Sequence, residues 1–131
     1  MRSWLCAAVM LAGCTETPPP ACSVTELDPA CAPQYQPTFT NVYANTLKMD
    51  CGSARGACHS ASGEANLSFA TEDAAYTNLL AKYVTAGDPA CSELIVRTAD
   101  LGEDYAMPQG DALAASERCA LQQWVRAGAL R

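Results

Sequence analysis

A chain of 131 residues and 13.8 kDa has room for one small core and not for two independent ones. Eight Lys+Arg against fourteen Asp+Glu leave a net charge of −6, so no basic face for nucleic acid or an anionic bilayer can be assembled. Half of the residues are apolar and 17% are charged, which excludes a chain disordered throughout, and eight cysteines in so short a sequence point to an oxidising compartment, an attached group, or both.

Residues 1–13 start with a basic residue, Arg2, and continue as a short apolar run, the pattern of an export signal and too short to span a bilayer. The ending Leu11-Ala12-Gly13-Cys14 resembles the bacterial lipobox, in which a peptidase cuts before a cysteine whose sulfur carries diacylglycerol. That resemblance implies lipidation of Cys14 and attachment to a membrane through the lipid. Thr15 in place of an aspartate points, by the same resemblance, to the outer membrane, facing the periplasm or the cell surface. Residues 14–37 then read as a tether: six of the eight prolines fall here and hydrophobic periodicity is absent. Cys22 and Cys31 suit a small disulfide loop within it, or separate partners elsewhere.

Residues 38–131 read as the folded domain. Period and caps predict four short helices and no strand, hence an all-α class. The first, about 38–49, puts Phe39, Val42, Tyr43, Thr46 and Leu47 on one stripe. The second, about 72–83, follows Thr71 as N-cap, has Glu72 and Asp73 in its first turn, and aligns Ala75, Tyr76, Leu79 and Leu80. A third starts at Asp88-Pro89 and offers Cys91, Leu94 and Ile95. The fourth, about 114–127, turns Ala120, Leu121, Trp124 and Val125 inward and stops at Gly128. So few large apolar residues leave a domain of this size marginal on burial alone, and disulfides or a large apolar cofactor are expected to reinforce it.

The one histidine, His59, directly follows Cys58. A cysteine followed by histidine is the form of a c-type haem attachment site, where a thiol bonds a haem vinyl group and the imidazole reaches the iron. Met107-Pro108-Gln109-Gly110 lies in a non-helical stretch, and a thioether held by a proline-fixed loop is a suitable second axial ligand. Cys91 and Cys119, each near a helix start, fit a structural disulfide between the third and fourth helices.

The pieces Cys58-His59, Leu67-Ser68-Phe69, Gly87-Asp88-Pro89, Met107-Pro108-Gln109-Gly110 and Trp124-Val125-Arg126-Ala127-Gly128-Ala129 occur in the order found in the small cytochrome-c-like domains of planctomycete and myxobacterial secreted lipoproteins, which this region resembles. The resemblance implies a class I cytochrome c-like fold, one covalent haem c, axial ligation by His59 and Met107, and single-electron transfer between redox partner proteins of the cell envelope, not bond-making catalysis. The slot for the haem is expected among Leu67, Phe69, Tyr76, Leu80 and Trp124.

The chain departs from the usual pattern in having six residues between Cys51 and Cys58, where attachment motifs have two. Three arrangements follow: both cysteines bond the haem, Cys58 alone does, or the two form a disulfide in a haem-free, disulfide-stapled lipoprotein module with a structural or binding role. A zinc site at Cys51, Cys58 and His59 would need a fourth ligand, and its spacing resembles no common zinc knuckle. Glu72-Asp73 and Glu103-Asp104 read as a helix N-terminus and a solvated loop. No second histidine is present for a triad, and no glycine-rich phosphate loop.

Overall fold

The structure, a computed structural model, describes residues 17–52, 58–61 and 63–131. The signal region 1–13 and Cys14 lie outside the described residues, as do 53–57 between Cys51 and Cys58. Among the described residues the chain is all-helical, with four helices and no strand. Helix α1 starts as Phe39–Val42 and widens into a π-helix over Tyr43–Cys51; α2 is Glu72–Asn78, likewise widening over Leu79–Tyr83; α3 is Glu93–Ala99 and α4 is Ala115–Arg126.

Local chemistry accounts for most of these boundaries. Thr38 and Thr71 sit in extended backbone and accept, through their hydroxyls, the amides of Asn41 and Ala74, which fixes the starts of α1 and α2. At α4 the Glu117 carboxylate reaches back to the Ala114 amide at 3.0 Å. The helix ends where Gly128 takes φ +104° and the Ala129 amide returns to the Trp124 carbonyl. Helix α3 starts at Glu93, later than its Asp88-Pro89 signal. Those two residues form a turn instead, because the buried Ser92 hydroxyl donates to the Asp88 and Thr85 carbonyls and takes the Thr85 amide, which occupies the chain before the first helical turn.

The stripes expected of α1 and α4 are the buried faces. Phe39 stacks 5.1 Å from Trp124 and meets Tyr76 edge-on at 4.9 Å, joining α1, α4 and α2 around one aromatic centre. Leu47, Leu79, Leu121, Val125 and Ile95 close around it. Leu67, Phe69 and Trp124 are part of this packed core, with Tyr76 and Leu80 against it, so the residues expected to wall a slot are in contact with core side chains instead.

The segment expected to hang free as a tether does not. From Cys22 to Tyr35 it is a strap laid across α3 and α4. Two disulfides hold it, Cys22–Cys91 and Cys31–Cys119. All four cysteines are therefore bridged, but neither a Cys22–Cys31 loop nor a Cys91–Cys119 staple forms: each helix cysteine faces the strap between them rather than the other helix. An extended, proline-rich backbone has no hydrogen bonds of its own, and here the domain supplies them. The Gln122 and Gln123 side chains donate to the Asp28 and Cys31 carbonyls at 2.7 and 2.8 Å, Gln34 N donates to the Ser116 carbonyl at 3.0 Å, and Ser23 N to the Ala90 carbonyl at 2.7 Å. Leu27 and Tyr35 pack on the core, and the Tyr35 hydroxyl pairs with Thr46 of α1 at 2.5 Å. The domain thus starts near residue 22 rather than 38.

The firmest latch is Asp100, at the end of α3 and only 1% exposed. Its carboxylate accepts from Ser23 Oγ at 2.5 Å, Thr25 N at 3.0 Å, Val24 N at 3.1 Å and the Tyr105 hydroxyl at 3.0 Å. Burial on its own would raise this carboxyl, but the strap's hydrogen bonds outweigh it and hold Asp100 below its ordinary value. A depressed folded-state value means that the latch contributes fully above the unfolded value of about 3.9 and is lost as the pH falls through the folded one. Asp100→Asn is therefore expected to be less stable than the native chain by about 1–3 kcal/mol at neutral pH. In urea unfolding the gap should close as the pH drops below about 4; a gap that stays constant with pH would rule out the charged latch.

Candidate functional site

The cysteine and histidine region forms where α1 ends. The wide last turn of α1 closes with Gly52 N on the Leu47 carbonyl at 2.7 Å, and a Cβ at Gly52 would meet the Lys48 carbonyl oxygen at 3.0 Å. This leaves Cys51 half-buried at the helix end. His59 is tied back to it through His59 N donating to the Cys51 carbonyl at 3.2 Å, and Phe69 N donates to the His59 carbonyl at 2.7 Å. The imidazole is fixed by two contacts: it lies 5.3 Å from the Phe69 ring, and Nδ1 stands 3.0 Å from the Leu67 carbonyl. A carbonyl can only accept, so Nδ1 carries the proton and the lone pair of the neutral ring is at Nε2. This is the tautomer and the anchoring that metal-ligating histidines use.

Sequence reasoning did not foresee the residue that makes this anchor possible. Gly63 has φ +33°, and a Cβ there would lie 2.6 Å from the Leu67 carbonyl oxygen, the same atom that holds His59. A glycine in the sequence marks a turn but does not announce which carbonyl it makes way for.

Cys51 and Cys58 are the free cysteines among those described, and they are not bonded to each other. Of the three arrangements, the Cys51–Cys58 disulfide is thus not the one the structure holds. Cys58 is exposed; burial first, then the negative charges of Asp50 and Glu117 and the neighbouring Cys58, push the Cys51 thiol up to about 12. A thiol kept protonated in this way lacks the depressed value of a redox-catalytic cysteine. No group of three or more His, Cys, Asp or Glu comes together as a metal cluster among the described residues, so the zinc alternative gains nothing.

Met107 is half-buried at the start of its loop. Its amide donates to the Arg97 carbonyl at 2.7 Å, the Met107–Pro108 peptide is cis, and the Arg97 guanidinium holds the preceding turn through the Tyr105 carbonyl at 3.1 Å. Arg97 is itself steadied by Glu93 at 2.8 Å. A cavity of about 470 Å³ joins this loop to the end of α1: Asp50, beside Cys51, and Pro108, beside Met107, both line it, with Gln109, Leu113 and Glu117. Neither His59 nor Met107 is among its lining residues, and carboxylates make part of its wall.

No family model, no curated protein and no solved structure matches the chain. What it can do is read from its own residues: an imidazole of fixed tautomer, two thiols outside the disulfide framework, and a thioether on an anchored loop. The role of Gly63 has a direct check. Gly63→Ala should cost about 1–3 kcal/mol through backbone strain, and the imidazole nitrogen resonances of His59 should lose the single Nδ1–H tautomer; unchanged resonances would show that the Leu67 carbonyl does not set the ring.

Proposed function

We propose that this chain is a lipid-anchored, mono-haem c-type cytochrome that passes single electrons between partner proteins of the cell envelope, with Cys51 and Cys58 as thioether donors and His59 and Met107 as axial ligands. The observation that carries this reading is the His59 anchor: Nδ1–H on the Leu67 carbonyl leaves the Nε2 lone pair for a ligand, on a residue that follows Cys58 and whose amide is bonded to the Cys51 carbonyl, the two cysteines that the disulfides leave unused.

The donor set fits haem c chemically, since it offers two thiols for the vinyl groups, one imidazole and one thioether. When bound, the haem supplies reversible one-electron chemistry. The protein's part is to hold and shield it. The Leu67 carbonyl fixes the tautomer and the plane of the His59 ring. Phe69 excludes water from one side of that ring. Arg97, through its carbonyl and its guanidinium, keeps the Met107 loop on α3. Burial and the neighbouring negative charges keep Cys51 as a thiol.

The anchor on Cys14 and the envelope location belong to the same proposal and rest on the lipobox resemblance; no helix among the described residues is long and apolar enough to cross a membrane. One observation favours a second reading. The core between α1 and α4 is closed by its own aromatic side chains, and two bridges hold the strap over α3 and α4, as a haem-free stapled module would require.

Visible absorbance separates the two readings. Protein purified from an export-competent host with a haem-attachment system is expected to keep a haem spectrum after denaturation, and Met107→Ala should retain the covalent group while changing its axial-ligation bands. A colourless protein would leave the stapled module standing, and an unchanged Met107→Ala spectrum would remove Met107 from the site.

A further inference from the structure

The Met107 loop hangs from a chain of hydrogen bonds that starts in the strap. Ser23 Oγ, Val24 N and Thr25 N all donate to the Asp100 carboxylate, one residue along from the Cys22–Cys91 bridge. The same Asp100 oxygen that takes Val24 N, Oδ2, also takes the Tyr105 hydroxyl at 3.0 Å. Between them the turn has little else to hold it: Leu101 is 47% exposed, Gly102 has φ +87°, and Glu103 and Asp104 face solvent. The buried Tyr105 ring is its anchor, and Thr17 of the strap's leading end adds a second tie at Asp104. Tyr105 then passes its position on. Its carbonyl takes Arg97 Nη1 at 3.1 Å, and the Arg97 carbonyl takes the Met107 amide at 2.7 Å.

We propose that the strap sets the position of the Met107 loop through Asp100 and Tyr105, which makes Ser23, Asp100 and Tyr105 positioning residues for the Met107 sulfur. The role of that sulfur rests on the function proposed above, whereas the coupling itself is a property of the fold. The physical ground is that few bonds outside the relay hold this turn: Thr17 on Asp104 and Ala106 N on the Glu103 carbonyl. Met107 N has one acceptor, on α3. The turn that delivers Met107 to that acceptor is steered by one buried ring, and that ring is aimed by a carboxylate whose remaining hydrogen bonds come from the strap. Breaking a link at the strap therefore loosens a loop that Ser23 does not touch. Charge supports the arrangement: the strap's hydrogen bonds hold the Asp100 carboxyl below its ordinary value, so the acceptor at the centre of the relay is the carboxylate.

The test is amide hydrogen exchange on the full mature protein with both bridges formed. The Met107 amide, on the Arg97 carbonyl, is compared with the Gly87 amide, which sits 2.8 Å from the Val125 carbonyl and outside the relay. In Tyr105→Phe the Met107 to Gly87 exchange ratio is expected to rise about tenfold, the change in open population that losing one buried hydrogen bond gives. Ser23→Ala should raise it severalfold. The double variant should not exceed Tyr105→Phe alone, since both act along one path. A rise of both amides together would mean general loosening and would overturn the proposal, as would a Ser23→Ala ratio equal to the native one or two effects that multiply. Haem absorbance is read on the same samples: a colourless protein that passes the ratio test removes the proposed function and leaves the relay, and a coloured one that fails does the reverse.

Discussion

Two interleaved disulfides, Cys22–Cys91 and Cys31–Cys119, are the constraint on which the rest of the structure depends. Each closes a loop of many tens of residues, separations of 69 and 88, and in the chain-entropy picture such a closure is worth about 4 kcal/mol. A domain with one aromatic centre and four short helices needs a contribution of that size. The bridges also decide topology. They turn a proline-rich segment that could hold no structure alone into a strap whose polar groups are met by Asp100, Gln122 and Gln123. Because the strap is fixed to both α3 and α4, it fixes those helices relative to each other and, through Asp100 and Tyr105, the loop that carries Met107.

With the disulfide framework complete, the two remaining described thiols acquire meaning by contrast. Cys51 and Cys58 both precede a histidine whose ring is set by a backbone carbonyl, and that carbonyl has space only because Gly63 bears no side chain. The arrangement is asymmetric: Cys51 half-buried and held as a thiol, Cys58 exposed. A thiol raised in this way, as Cys51 is, lacks the stabilised thiolate that disulfide exchange uses.

How much of this was legible beforehand follows from how far apart the interacting residues are. Thr71 capping α2 and Gly128 ending α4 are contacts within a few residues, and the pattern shows them. The inward stripe of α1, from Phe39 to Leu47, was likewise readable from its period. The pattern puts the start of α3 too early because the Ser92 hydroxyl, which occupies the preceding turn, looks in sequence like any serine. In sequence the strap reads as a tether because most of its partners lie 67 to 94 residues away and resemble ordinary surface residues. Cysteine pairing is not legible for the related reason that spacing does not determine connectivity, and nearness in sequence favours Cys22 with Cys31. At the site, Cys58-His59 and Met107 stood out by residue type, but the Leu67 carbonyl, Gly63 and Arg97 act through backbone atoms or backbone room, to which side-chain patterns are blind.

The claim that Cys51 and Cys58 are kept apart from the disulfides to bond a haem is tested most directly by mass. The mature exported protein, unfolded and fully reduced, is treated with an alkylating reagent and weighed, and Cys22, Cys31, Cys51, Cys58, Cys91 and Cys119 are scored by peptide. The expected result is that Cys22, Cys31, Cys91 and Cys119 alkylate while Cys51 and Cys58 remain joined to one haem-sized adduct. Alkylation of Cys51 and Cys58 as well, on a chain with no added mass, would contradict it.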